Sequence, residues 1–164
     1  MTTSGTFSYE YSSDVDSVFS LLKDPEFLRR RGEAAGDKNV DIKIEETTDG
    51  LHLTIARDRT IEVPAIVKAV VQPTNRAVES TTWRPVAGGY EAEYELEVQG
   101  FPGKVKGRST LRPVAGGCEY ESKFEVTAKV PLIGRKIESL LAEGMVEQLQ
   151  INAQRNAAEL GKAG

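Results

Sequence analysis

The feature that most constrains the fold is a long helical pattern at the C-terminal end of this 164-residue chain. Apolar residues recur at helical spacing from Leu132 to about Lys162, after a long series of alternating segments that are typical of strands. At about 1.5 Å of rise per residue the helix is roughly 45 Å long, which exceeds what one strand needs as a cover. The helix is therefore predicted to lie along a whole curved sheet, with room between the two layers.

One strand and two short helices are predicted before the main part of the sheet. Residues 6–12 alternate between aromatic and polar side chains, which is typical of a half-buried strand. Ser13 or Asp14 suits the N-cap of a first helix, and Asp24-Pro25 ends this helix before a second helical piece. The triplet 29–31, three arginines, is the only dense cationic run in the sequence, and we interpret it as a solvated helix end.

Alternating segments and tight turns follow from residue 39 onward. Residues 40–44 and 51–55 alternate on either side of Asp49-Gly50, a dipeptide typical of hairpin turns. The motif Arg-Pro-Val-Ala-Gly-Gly occurs twice, at 84–89 and 112–117, and its glycines supply the positive φ angles that strand reversals need. A phosphate-binding loop is the alternative, but no helix start follows either copy and the required lysine and serine or threonine are missing. Both copies are therefore predicted to be hairpin turns.

The later strands each have one face directed inward and one directed to water. In residues 90–99 glutamates occupy most odd positions, while the even positions are apolar or aromatic. The next strand has an inward row that looks too small to fill the space facing the helix, namely Val105, Gly107, Ser109 and Leu111. The segment between Pro64 and Pro73 is predicted to be a loop or helical turn over the opening, and it is a candidate gate.

These elements predict an α+β fold in a single domain over residues 1–164. The expected architecture is a curved sheet of about seven antiparallel strands, two short helices after the first strand, and the long C-terminal helix in the concavity. The helix face expected to point inward carries Ile133, Ile137, Leu140, Leu141, Gly144, Met145 and Leu149. The first half of the helix is expected to be the buried half.

Composition and charge exclude several classes of function. The net charge of −4 and the isoelectric point near 5.2 argue against a nucleic-acid partner, which needs a concentrated basic face. Cys118 stands alone, so no internal disulfide is possible and a cytoplasmic location is expected. The sequence has no signal peptide pattern at its start and no long apolar run, so neither secretion nor a membrane span is expected.

The order of elements resembles that of the helix-grip proteins, the START-like (SRPBCC) superfamily that includes birch-pollen-type allergens, lipid-transfer domains and polyketide cyclases. The resemblance covers nearly the whole chain. Three stretches are similar to one bacterial family of unknown function within that superfamily, namely Asp24-Pro-Glu-Phe27, Val63-Pro-Ala-Ile66 through Trp83, and the segment 130–138. The resemblance implies the helix-grip fold and an internal cavity for a hydrophobic or amphipathic ligand.

The sequence offers few groups for catalysis. His52 is the only histidine and lies at an outward position of its strand, which argues against a histidine triad or a histidine-rich metal site. Cys118 has no evident base near it in sequence and is interpreted as a small buried thiol. We therefore predict no catalytic residues, no metal and no cofactor.

The predicted ligand site lies between the inward strand faces and the long helix. Its residues are expected to be Trp83, Tyr94, Leu96, Ser109, Leu111, Tyr120, Phe124, Ile137, Leu141, Gly144, Met145 and Gln148. Polar members could bond a ligand or equally well satisfy one another. Gly144 is expected to bring the helix close to a ligand, and Gln148 to reach into the cavity. Arg57 either turns outward at a bulge, which is favoured because an unpaired buried charge is costly, or points inside, where it would attract an anion.

Three functions remain open at this level. The first is binding or carriage of a hydrophobic small molecule, lipid-like or aromatic, by a protein that is not an enzyme. The second is a cyclase or hydratase type of enzyme acting on a polyketide-like substrate, with tyrosine and serine groups polarising it. The third is a partner-binding module whose cavity is filled by its own side chains.

Overall fold

The computed structural model describes residues 2–60, 64–65, 67–69 and 74–162, and they form the α+β architecture that was predicted. A curved sheet of seven antiparallel strands is covered by a long C-terminal helix. The elements in chain order are β1 (Thr3–Tyr11), α1 (Val15–Leu22), α2 (Pro25–Ala34), β2 (Lys38–Thr47), β3 (Gly50–Thr60), β4 (Thr74–Val86), β5 (Gly89–Val98), β6 (Gly103–Val114), β7 (Gly117–Ala128) and α3 (Gly134–Lys162).

The strand order in the sheet is β1-β7-β6-β5-β4-β3-β2, so β2 to β7 form a continuous meander and β1 joins at the far edge. Both copies of the repeated motif are hairpin turns, as predicted. Each turn has a glycine with positive φ, +78° at Gly88 and +86° at Gly116, a conformation that other residues adopt only with strain. Of the predicted gate between Pro64 and Pro73, residues 65 and 67–69 are described and form a turn, in which the Val67 amide donates to the Pro64 carbonyl at 2.9 Å. The other residues of this segment lie outside the described ones.

The two short helices begin where the sequence predicts, because an aspartate caps each of them. The Asp14 carboxylate accepts a hydrogen bond of 2.7 Å from the Ser17 amide at the start of α1. Asp24 accepts from the amides of Glu26 and Phe27 at the start of α2, where Pro25 occupies the first turn. Through their apolar faces both helices join the main hydrophobic core, which also contains residues of β3 and β4.

The outer face of the sheet is a ladder of opposite charges. The glutamates of β5 face lysines and arginines of β6, with Arg108 2.8 Å from Glu93 and Lys104 3.1 Å from Glu97. Exposed pairs of this kind add little stability, so the main effect of this charged face is to keep the sheet hydrated. No helix among the described residues has the length and apolar character needed to cross a membrane.

The helix α3 contacts the sheet along both halves, which corrects the expectation that only its first half is buried. The buried positions include Ile137 and Ala142 near its start and Ala153 and Asn156 near its end. The Glu138 side chain, 2% exposed, fixes the first half in place. One of its carboxylate oxygens accepts from the Thr3 hydroxyl at 3.0 Å and the other from the Ala128 amide at 2.9 Å, so it joins β1, β7 and α3.

The expected position of Gly144 at the centre of the inner helix face is wrong. Gly144 is exposed, and a Cβ atom added there would meet no atom within 4 Å. Ile137, Met145 and Leu149 face inward as predicted, and the rest of the inward stripe consists of small and polar residues that an apolar pattern does not reveal, namely Gly134, Glu138, Ala142, Ala153 and Asn156. Gly144 lies two residues beyond Ala142, on roughly the opposite side of the helix.

The inward row of β6 leaves less space than its small side chains suggested. The Tyr94 ring of β5 lies directly across Gly107 of β6, its partner in the register, and the Phe124 ring of β7 lies across Gly5 of β1. A Cβ atom on either glycine would collide with the ring. Large aromatic groups therefore fill the gaps beside the glycines, and the first half of α3 packs onto a filled layer.

The two hydrogen bonds of the buried Glu138 carboxylate give a first prediction. Replacing Glu138 with alanine leaves a buried Ala128 amide without its carboxylate partner, so we expect a loss of about 2–3 kcal/mol in the free energy of unfolding. The control is Glu143→Ala, an exposed position on the same helix, with an expected change within about 0.5 kcal/mol. Urea denaturation of both variants measures the free energy of unfolding. Equal stability of the two would contradict the role of Glu138 in fixing α3 to β1 and β7.

Gly144 gives a second prediction. Because its neighbourhood is open, Gly144→Ala should raise the free energy of unfolding by about 0.5–1 kcal/mol through helix propensity alone. Gly107→Ala is the matched opposite case and should destabilise the fold, since its Cβ would strike the Tyr94 ring. Thermal melts of the two variants test the pair, and a destabilised Gly144→Ala would mean that this helix face is buried after all.

Candidate functional site

A pocket of about 100 Å³ lies between the sheet, α2 and the second half of α3. Its apolar walls are formed by residues of the helices and the sheet, namely Leu22, Leu28, Leu53, Ile55, Trp83 and Leu149. Trp83 is 5% exposed and stands edge-on to the Phe19 ring, with ring centres 5.6 Å apart. This contact fixes the indole as a rigid wall of the pocket.

Polar groups converge on the same space. They come from α2, α3 and several strands, and they are Tyr11, Arg31, Glu79, Thr81, Tyr94, Ser109, Tyr120, Asn152 and Asn156. An apolar pocket with a few placed polar groups is the usual form of a small-molecule site. A space of about 100 Å³ also exceeds the roughly 15 Å³ that a single water needs.

Five of the twelve predicted site residues line this pocket, namely Trp83, Tyr94, Ser109, Tyr120 and Met145. The others do not. Leu111 is fully buried in the main core, and Ile137 packs with Val67 and Ala128 near the start of α3. Leu96, Phe124 and Leu141 belong to the packed layer beneath the first half of α3.

The remaining two residues of the predicted site lie on other parts of the helix surface. Gly144 is exposed, and Gln148 donates a hydrogen bond to the Asn152 side chain at 3.1 Å instead of entering the pocket. The reason is the inward stripe described above, which includes Met145 and Leu149 as predicted but continues to Ala153, so that Gly144 and Gln148 fall outside it. The pocket is therefore displaced by about two helical turns toward the C-terminal end.

Several polar groups of the pocket satisfy one another. The Tyr94 hydroxyl lies 2.7 Å from the Ser122 hydroxyl, and the Ser109 hydroxyl lies 2.9 Å from that of Tyr120. Burial raises the pKa of Tyr94 and of Tyr120. These phenols therefore stay neutral at physiological pH, and they act as hydrogen-bond donors or acceptors and carry no charge.

A chain of hydrogen bonds connects α2, α3 and β1 at the wall of the pocket. Arg31 donates to the Asn156 side-chain oxygen at 3.1 Å, and the Asn156 amide nitrogen donates to the Tyr11 hydroxyl at 3.2 Å. Burial raises the pKa of Tyr11 to about 12, an effect that the bond from Asn156 partly opposes. The expectation of a solvated helix end at residues 29–31 is wrong for Arg31, whose guanidinium faces the pocket.

The bulge favoured for Arg57 lies on the neighbouring strand and does not turn this side chain outward. The register between β2 and β3 shifts between Lys38 and Asp41, opposite Arg57, and the extra residue belongs to β2. The register between β3 and β4 continues without a shift from Leu51 to Thr60, so Arg57 keeps the inward direction of Leu53 and Ile55. Arg57 is 6% exposed, and its Nη1 donates to the Ile55 carbonyl at 3.3 Å. Its Nε atom has no hydrogen-bond partner within the described part of the chain.

The carboxylate of Glu79 is a site residue that sequence reasoning missed. Glu79 is half-buried and lines the pocket, between the inward positions Ala77 and Thr81 of β4. The signal was its parity with Trp83, which places both side chains on the inner face. Burial lowers the pKa of Arg31 and of Arg57, and the negative charge of Glu79 is the main effect that opposes this.

Other reactive groups stand apart from the pocket. Burial raises the pKa of the Cys118 thiol to about 11, so this cysteine is a poor nucleophile, as the sequence indicated. His52 Nδ1 lies 2.9 Å from the Thr82 hydroxyl on the outward side of the sheet. Across the described ranges, no three His, Cys, Asp or Glu side chains are grouped as metal ligands would be.

Solved structures with the same fold cover nearly the whole chain. TTHA0849 from Thermus thermophilus has a TM-score of 0.71 at 13% identity over 99% of both chains. Ara h 8.0201 has a TM-score of 0.62 at 11% identity over 99% of both chains. Norcoclaurine synthase from Thalictrum flavum, in complex with dopamine and hydroxybenzaldehyde, has a TM-score of 0.62 at 13% identity over 100% of this chain and 89% of that one.

At such low identity these likenesses show a shared fold, and the expected helix-grip architecture is confirmed. No curated protein matches the chain. Residues 6–158 match a family whose description is Protein of unknown function (DUF2505). Because this match spans most of the sequence, the chain belongs to that family.

Proposed function

We propose that this protein binds a small amphipathic molecule in the pocket under the second half of α3. The observation that carries the proposal is the pocket itself, in which apolar walls around Trp83 face converging polar groups such as Arg31 and Glu79. A protein selected only for stability would fill this space with apolar side chains, since interiors normally pack without voids of this size.

The size of the pocket favours a compact ligand. At about 100 Å³ it is smaller than the roughly 150 Å³ of an apolar cavity that holds one benzene molecule in another protein. A single ring or a short branched group is therefore the largest apolar body that suits this scale, whereas a long acyl chain does not fit. Of the two classes expected from the sequence, the aromatic ligand is therefore favoured over the lipid-like one.

The shared fold supports the same class of ligand. The structure of norcoclaurine synthase with the same arrangement of sheet and helix holds dopamine and hydroxybenzaldehyde, two molecules with one aromatic ring each. That observation concerns norcoclaurine synthase. For this chain, the support comes from the pocket residues named above. The wall formed by Trp83 and the tyrosine hydroxyls suits a ring that carries polar substituents.

An enzyme of the cyclase or hydratase type is the second candidate. The specific observation in its favour is the Glu79 carboxylate, which lines the pocket together with the neutral Tyr120 hydroxyl. A carboxylate and a phenol in one enclosed space are a base and a donor that acid–base chemistry requires. Native mass spectrometry of freshly purified protein would identify a retained ligand, and turnover of that ligand separates an enzyme from a carrier.

The third prediction tests binding with two leucine substitutions on α3. Ala153→Leu places three further carbons in the pocket and should weaken binding of small aromatics by tenfold or more, about 1.4 kcal/mol. Gly144→Leu adds leucine to the same helix where no atom lies within 4 Å, so binding should not change. Phenol, benzamide and benzoate serve as probes, and the fluorescence of Trp83, the single tryptophan, reports their binding directly.

The stability of the Ala153→Leu variant distinguishes an open pocket from an interior that is already filled. Ala153→Leu should change the free energy of unfolding by less than about 1 kcal/mol, because the new carbons enter the open space of the pocket. Loss of about 1–3 kcal/mol, with no probe binding to the wild-type protein, would refute the ligand-binding proposal. That result would favour a partner-binding module whose interior is closed.

A further inference from the structure

Two guanidinium groups at the pocket, those of Arg31 on α2 and Arg57 on β3, have no carboxylate partner among the described residues. Arg57 makes one described hydrogen bond, to the Ile55 carbonyl, and its buried Nε makes none there. Arg31 donates to the neutral side chain of Asn156. Within the described ranges no carboxylate oxygen lies within 4.0 Å of a nitrogen of either group.

These two groups lie beside the pocket and close enough to affect each other. Arg31 lines the pocket, whereas Arg57 lies behind the lining, two residues after the lining residue Ile55 on the same inward row of β3, with its Nη1 3.3 Å from the Ile55 carbonyl. The positive charge of Arg57 also lowers the pKa of Arg31. The pocket thus has a strongly positive side, formed by α2 and β3.

The acids nearby do not balance this charge. Both oxygens of the buried Asp37 carboxylate accept from Arg59, at 2.7 Å each, so Asp37 is already paired. Glu79 is the one acidic residue that lines the pocket among the described residues. Two guanidinium groups and one carboxylate leave one positive charge, and uncompensated charge in a protein interior is strongly disfavoured.

We propose that the ligand is a small monocarboxylic acid whose carboxylate lies between Arg31 and Arg57 and whose apolar body lies against Trp83. This assignment rests on the proposed function. One negative charge completes the balance, and a planar carboxylate matches the fork of donors on a guanidinium. A phosphate dianion would bring a second negative charge beside Glu79, so the monocarboxylate fits better.

The test compares benzoate with benzamide, two probes of nearly equal shape that differ in charge. Calorimetric titration of the wild-type protein should show that benzoate binds about tenfold more tightly, a difference of about 1.4 kcal/mol. Arg57→Met should remove this preference. Arg30→Met should keep it, because Arg30 belongs to the same arginine triplet but is exposed and pairs with Glu159 at the surface.

Glu79→Gln, unlike Arg57→Met, should raise the affinity for benzoate. Glu79→Gln removes the one acidic group in the described pocket lining and should tighten benzoate binding several-fold while leaving benzamide unchanged. Arg57→Met without ligand should melt no lower than the wild-type protein, since it removes an uncompensated buried charge. Benzoate should then raise the melting temperature of the wild-type protein more than that of this variant.

The possible outcomes separate this inference from the proposed function. Equal binding of benzoate and benzamide to the wild-type protein would overturn the carboxylate assignment and leave the pocket as a binding site. Preference for benzoate that survives in Arg57→Met, or a marked loss of stability in that variant without ligand, would also overturn it. Failure of both probes to bind the folded wild-type protein would count against the proposed function itself.

Discussion

The contact between α3 and the curved sheet holds the rest of the structure together, because no second sheet among the described residues covers that face. Near its start the helix is fixed by Glu138, whose carboxylate bonds to both β1 and β7. Near its end it is fixed by Asn156, which bonds to Arg31 of α2 and Tyr11 of β1. Between these two attachments, the first half of the helix packs on aromatic rings and the second half covers the pocket. The pocket is therefore bounded by two polar attachments that hold its roof in place.

The chemistry of this space is hard to explain by stability alone. The main core around α1, α2 and β3 is apolar, yet Arg31 of α2, Arg57 of β3 and Glu79 of β4 lie in or beside the pocket that its residues line. Buried ionic groups generally add less stability than apolar residues of similar volume. Their concentration at the one wall shared by α2, β3 and β4 is the pattern that binding sites show, since specificity requires polar groups in a dry surrounding.

The sequence predicted the elements well because their signals are local. An aspartate before each short helix, and glycines in each repeated turn, act within a few residues, and a period of two assigns the faces of a strand. The full inward stripe of α3 could not be obtained in this way, because beside Ile137 it contains small and polar residues such as Ala142 and Asn156. The ring of Tyr94 over Gly107 depends on cross-strand register. For Arg57 the strand parity was the correct guide, and the argument from charge cost was misleading.

The position of β1 has a consequence for how the chain folds. Strands β2 to β7 pair with neighbours in sequence, so each hairpin can form soon after its own turn. The strand β1 pairs only with β7 in the described sheet, and its Thr3 lies opposite Val126, so this contact closes a loop of most of the chain. Glu138 then bonds to Thr3 as well as to Ala128. During synthesis β1 therefore cannot pair until β7 has been made. The helix α3 can take its final position over the pocket only after β1 and β7 have paired.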